Sequence, residues 1–307
     1  MSRRLLSLIL ALVSVILPMR GCGLLAAPAA TNVVDTRAQK LNQSDGRPVV
    51  NNTVAVNKAN INSMALSRTA GRAITSPDYA TLQTVYSDNQ NEFAFARLVY
   101  NGDDIDGWGP RWRVDWPEAE THLLAGIERL TRVDTNPEGV LVQLGDDAIF
   151  DYPWMYAVEV GSLSLNDFEA SRLREYLLRG GFLMVDDFHG PFQWDNFAYA
   201  MKQVFPDKRI RELASDDEIF HVLYELNERR QIPGLRPLRE GRTWERGGNV
   251  PHWRGITDDD GRVMVAINFN MDLGDAWEHA DWAEYPEPYS AMAYRFAVNY
   301  VIYSMTH

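Results

Sequence analysis

Residues 180–190 read GGFLMVDDFHG. The run 182–185 is apolar without a break. A strand covered by helices on both faces reads this way, because it has no wet side to carry polar residues. Just before it, Leu165, Phe168, Leu173, Tyr176 and Leu177 line one face of a helix, which Gly180-Gly181 ends. Ser164 with Asp167 three positions later supplies a start resembling a capping box. Just after it, Phe197, Met201 and Phe205 mark another helix, stopped by Pro206.

The same alternation extends outward. Residues 93–100 (FAFARLVY) predict a strand, and 101–116 a loop rich in Gly, Asp and Trp. Pro117 suits the first turn of a helix carrying Leu123, Leu124, Ile127 and Leu130. Short apolar strands are expected at 140–144 and 155–160, a buried strand at 263–267, and a closing amphipathic helix at 291–305. Strands that alternate with helices predict an α/β domain with a doubly wound, mostly parallel sheet and helices on both faces. No internal repeat breaks the pattern.

The N-terminal third reads differently. Arg3 and Arg4 precede an apolar run over 5–17, and Ala27-Pro28-Ala29 matches an A-x-A cleavage pattern. The run is too short to span a bilayer comfortably, so residues 1–30 are expected to be an export signal. An uncleaved signal anchor is the alternative. Met19-Arg20-Gly21-Cys22 resembles a lipobox with Arg20 out of place, which makes Cys22 a candidate lipidation site. Residues 31–91 hold nine Asn with no Trp or Phe and keep no period, as expected of a disordered tether. The folded domain is then 92–307, in an exported protein that is periplasmic or membrane-anchored facing the periplasm.

Cys22 is the only cysteine, so the folded part has no disulfide, thiolate metal site or cysteine nucleophile. The formal charge is −12 and becomes more acidic once Arg3, Arg4 and Arg20 leave with the signal. Such a surface repels phosphate backbones, and no basic stripe offsets it, so nucleic acid is not an expected partner.

Ligands in such a sheet bind beyond the carboxyl ends of strands. Asp186, Asp187 and His189 follow the 182–185 strand, Asp146 follows 140–144, and Asp272 follows 263–267. These are the candidate ligand-binding residues, with Asp187 and His189 the candidate metal ligands. Carboxylates suit calcium or magnesium, and an imidazole would admit zinc or manganese. Asp at a strand end also commonly caps a helix or holds a loop. Asp186 and Asp187 should point to opposite sides of an extended strand, with Asp187 sharing the crevice with His189. The chain lacks G-x-S-x-G, GxGxxG after the first strand, Walker A and H-E-x-x-H motifs.

FAFARLVY, the run Trp108, Trp112, Trp116-Pro117, GGFLMVDDFHG, DEIFHVL at 217–223, NFNMDLGDAW at 268–277, and Asn299-Tyr300 together resemble domain-of-unknown-function family 4159. The resemblance covers about residues 92–307. It implies a flavodoxin-like fold related to class I glutamine amidotransferases. It also implies a bacterial envelope setting beside MoxR-type ATPases and von Willebrand A-domain proteins as partners. The amidotransferase cysteine has no counterpart here, so the activity is not implied. Two functions are expected on these grounds. One is a non-catalytic envelope domain that binds a ligand or partner. The other is a metal-dependent hydrolase in which Asp186, Asp187, His189 and Asp272 hold a divalent metal.

Overall fold

The computed structural model describes residues 93–102 and 109–307. The expected export signal, the expected tether and Cys22 lie outside the described residues. Short apolar runs become strands and longer periodic ones helices: β1 (Ala96–Val99), β2 (Asn101–Gly102), α1 (Glu118–Leu130), β3 (Val140–Gln143), β4 (Trp154–Val158), β5 (Leu163–Ser164), α2 (Asp167–Leu178), β6 (Phe182–Asp186), α3 (Gly190–Val204), β7 (Arg211–Glu212), α4 (Leu235–Arg239), β8 (His252–Thr257), β9 (Val263–Phe269), α5 (Leu273–Glu278) and α6 (Glu287–Thr306).

A seven-stranded sheet has the order β3-β1-β4-β6-β9-β8-β7. β3, β1, β4, β6 and β9 run parallel, with Ala96 opposite both Val140 and Met155, and Val158 opposite Asp186. β8 and β7 extend the sheet antiparallel. The fold is therefore α/β with a mostly parallel central sheet. Successive side chains of a strand point to opposite faces. Tyr156 and Met184 accordingly pack in one core cluster with α1 and α6, while Met155 and Val185 pack in another with α2 and α3. Burial on both faces explains why β6 and β9 are buried along their whole length. No helix among the described residues is long and apolar enough to cross a membrane.

One expectation is corrected. The cap of α2 is Asn166, which accepts from Glu169 N at 2.9 Å while Glu169 Oε2 accepts from Asn166 N at 2.9 Å. Ser164 cannot serve as the cap because it belongs to β5, paired with Asn101 of β2. A strand that the sequence pattern does not announce, β8, opens at His252. That strand carries His252, Arg254 and Gly255 and is only part-buried, so it shows no apolar run.

Candidate functional site

The carboxyl ends of β4, β6 and β9 are each followed closely by a non-glycine residue in the left-handed region: Glu159 (φ 53°), Asp187 (φ 50°) and Asn270 (φ 64°). Asp115, in the segment between β1 and α1, is a fourth (φ 62°). Such conformations are uncommon, are tolerated best by Asp and Asn, and gather at functional sites. The sharp turn also ends strand alternation, so the side chain beyond each strand is re-aimed by the turn rather than by the pleat.

Asp186 is fully buried at the end of β6. Its Oδ2 accepts from the amides of Leu273 at 2.6 Å and Gly274 at 3.3 Å, anchoring the first turn of α5. The buried Tyr156 hydroxyl interacts with the same carboxyl. Burial pushes this carboxyl up to about 6 against the Tyr156 hydroxyl and those amide donors. Asp187 turns the other way, and its Oδ1 lies 3.1 Å from His189 Nε2. Burial, together with Arg246, pushes His189 down to about 3, so the ring is neutral. Nδ1 of the ring is buried without a hydrogen-bond partner.

Asp272 follows β9. Its Oδ1 accepts from Asp275 N at 2.9 Å, capping α5. Asp115 is delivered by a buried arginine. Arg97 Nη1 donates to Trp112 O at 3.0 Å and Val114 O at 2.9 Å, fixing the backbone just before Asp115. Arg97 Nε in turn donates to buried Glu120.

Asp115, Asp187 and Asp272 converge, each placing a carboxylate oxygen within 4.8 Å of the others. Two glycines make the room. A Cβ on Gly274 would lie 2.1 Å from Asp115 Oδ2, and one on Gly234 would lie 2.5 Å from Asp272 Oδ2. The same point beside Gly274 is 2.8 Å from the Tyr156 hydroxyl, which is fully buried and interacts with Asp186. Burial raises all three carboxyls well above the ordinary carboxylate range. Neighbouring carboxylates raise them further: Asp275 for Asp115, Glu159 for Asp187, and Asp187 for Asp272. Three such groups ionise together only when a positive charge lies among them. An oxygen-only set suits calcium, magnesium or manganese.

Of the residues expected from the sequence, Asp187 and Asp272 meet here. Asp186 braces the floor of the site through α5. His189 touches the cluster through Asp187 and is not one of the converging group. Asp146 is not brought to it: it lies beyond edge strand β3, where its carbonyl accepts from Arg172 Nη2 at 3.2 Å. Asp115 was not expected, because it ends no strand. The available signal was an acidic residue set against Trp116-Pro117 in a loop following the first strand.

A second group, Asp275, Glu278 and His279, lies on α5 and its end. Here an ion pair accounts for the arrangement. Asp275 Oδ1 is 3.2 Å from His279 Nδ1, and Asp275 Oδ2 accepts from Leu235 N at 2.6 Å. Burial alone would lower His279, but Asp275 outweighs it and holds the imidazole above its usual value. A raised folded value means that this stabilisation is complete below the unfolded pKa, about 6.5, and is lost as pH rises through the folded value. Melting curves from pH 6 to pH 9 should therefore show wild type losing stability relative to His279→Gln as pH rises. Parallel curves would remove the ion pair from the account.

A family model described as Domain of unknown function (DUF4159) matches residues 94–305. Comparison with curated proteins returns no match.

Proposed function

The chain belongs to the DUF4159 family, and from that premise we propose that its folded part is a divalent-cation-binding domain that engages a ligand or protein partner through the carboxyl edge of the sheet. One observation carries this reading: Asp115, Asp187 and Asp272 bring carboxylate oxygens within 4.8 Å of one another. The Tyr156 hydroxyl and Asp186, both buried and interacting with each other, stand beside the same place. None of the three converging carboxylates forms an ion pair with Arg or Lys among the described residues. A structural salt-bridge network would have supplied one.

The order β3-β1-β4-β6-β9 supports a doubly wound, flavodoxin-like arrangement. In that arrangement the strand order reverses between β1 and β4, where ligands are received. An amidotransferase-like ancestry is compatible with this order, but the lone Cys22 leaves the domain without a thiol nucleophile. The N-terminal sequence supports export to the envelope, with or without lipid on Cys22. MoxR-type ATPases and von Willebrand A-domain proteins are the partners the resemblance suggests.

The test is metal titration. Protein stripped with chelator should gain roughly 5–10 °C in Tm with calcium, magnesium or manganese at about a hundredfold excess over Kd. If no divalent cation moves Tm or gives a binding isotherm, this reading fails.

One observation favours a second reading, a metal-dependent hydrolase. His189 Nε2 lies 3.1 Å from Asp187 Oδ1, which places an imidazole beside the cluster. A cation there would supply activation of water, and His189, held against Asp187 through Nε2, would orient that carboxylate. Cation binding that survives His189→Gln, with no hydrolysis to lose, selects the binding domain.

A further inference from the structure

The ladder between β6 and β9 ends at Val185 and Ile267, yet the two chains stay joined beyond it. Asp187 N donates to Met271 O at 2.9 Å, and Asn270 N donates to Phe188 O at 3.0 Å. These crossed bonds link two left-handed turns, at Asp187 (φ 50°) and Asn270 (φ 64°), and set Asp187 beside the segment that carries Asp272. Asn270 is 4% exposed, and every polar group it owns is engaged. Its carbonyl accepts from Gln231 Nε2 at 2.8 Å, its Oδ1 accepts from Gly190 N at 2.9 Å, and its Nδ2 donates to Val250 O at 2.7 Å. The residue therefore ties the turn after β6, the start of α3 and the 231–250 segment to the turn after β9. The position asks for asparagine. Glycine would take the left-handed backbone but lose the side-chain bonds. Aspartate would set a carboxylate oxygen against the Val250 carbonyl and add a charge two residues from Asp272. Gly248 keeps the place open: a Cβ there would lie 2.1 Å from Asn270 Oδ1.

We propose that Asn270 is the positioning residue of the cation site. Its amide is spent on Gly190 and Val250, so it is not itself a ligand. Through that amide and the crossed backbone bonds it fixes the Asp187 carboxylate relative to that of Asp272, and the fixed spacing sets which cation the site prefers. This role rests on the cation reading. Groups one step behind metal ligands orient them, and their loss typically costs about 10–100-fold in affinity. Magnesium demands near-ideal octahedral geometry, whereas calcium tolerates irregular ligand sets. A loosened pair of carboxylates should therefore fail magnesium before calcium.

The experiment is calorimetric titration of chelator-stripped wild type, Asn270→Gly and Gly248→Ala with calcium and with magnesium, at a temperature where melts show each protein folded. Asn270→Gly keeps the turn and deletes the amide. Gly248→Ala leaves residue 270 intact and displaces its side chain, so it decides the matter if Asn270→Gly does not fold. Each folded variant should lose roughly tenfold or more in magnesium affinity and roughly threefold or less in calcium affinity, which raises the preference for calcium. If wild type binds only one of the two, a loss of roughly tenfold for that cation is the expected result. A merely structural Asn270 would lower Tm in chelator without moving affinity or preference. The inference is overturned if a folded variant keeps the wild-type affinities, or if both cations weaken equally; the cation reading then stands on the wild-type isotherm. If wild type binds neither cation, the cation reading fails and the positioning role fails with it.

Discussion

Asp187→Asn is expected to abolish the stabilisation by calcium or magnesium while leaving the Tm of the chelator-stripped protein unchanged or higher. Asp187 is 7% exposed and stands within reach of Asp115 and Asp272. Its carboxyl is raised well above the ordinary range, first by burial and then by Glu159 and Asp115. The ionised form is therefore unfavourable unless a cation compensates it. Asparagine keeps the volume, tolerates the left-handed backbone at φ 50°, and can still accept from His189 Nε2. Removing the charge relieves repulsion in the empty site and deletes a ligand in the filled one. At a hundredfold excess over Kd the cation contributes about 2.7 kcal/mol, and most of this should vanish in the variant. Paired melts with and without cation measure both effects. A purely structural Asp187 predicts the reverse: a loss of about 1–3 kcal/mol in chelator with the cation response intact.

Arg97→Met should be the most damaging change near the site. Arg97 is fully buried, is paired with Glu120 at 2% exposure, and holds the carbonyls of Trp112 and Val114. Removing it strands a buried carboxylate, which costs about 3–5 kcal/mol. Denaturant titration gives the magnitude. The second consequence separates positioning from stability. Arg97→Met with Glu120→Met removes the stranded charge and should recover much of the lost stability. The loop before Asp115 remains unpinned, however, so cation affinity should stay low. Full recovery of affinity in the double variant would show that Arg97 does not place Asp115.

The two strands read most directly are buried on both sides. Phe182–Asp186 and Val263–Phe269 are apolar throughout because helices cover both faces, and their ends could be located to within two residues. β8 was not readable, since an antiparallel strand near the sheet margin needs no apolar run. The cap of α2 was misplaced by two residues because Ser164 has the right chemistry but is committed to pairing with Asn101. Within the site, attention to strand ends found Asp187 and Asp272 and also picked out Asp146, which lies elsewhere. Asp115 escaped because its position depends on a tertiary contact. Nothing local to its sequence announces that Arg97, in the first strand, grips the backbone beside it.

The antiparallel margin of the sheet has a consequence for behaviour at high concentration. The sheet ends in β7, only Arg211–Glu212 long, with both residues exposed. Long, flat, apolar edges recruit the strands of other molecules, whereas short charged ones do not. Arg211 is 3.4 Å from Asp217, and Glu212 is 2.6 Å from Arg254, so another chain adding a strand here would have to disrupt ion pairs for two residues of pairing. On this side the parallel core ends in a border that offers almost nothing to copy, and crowding should not convert the protein into edge-joined aggregates through it.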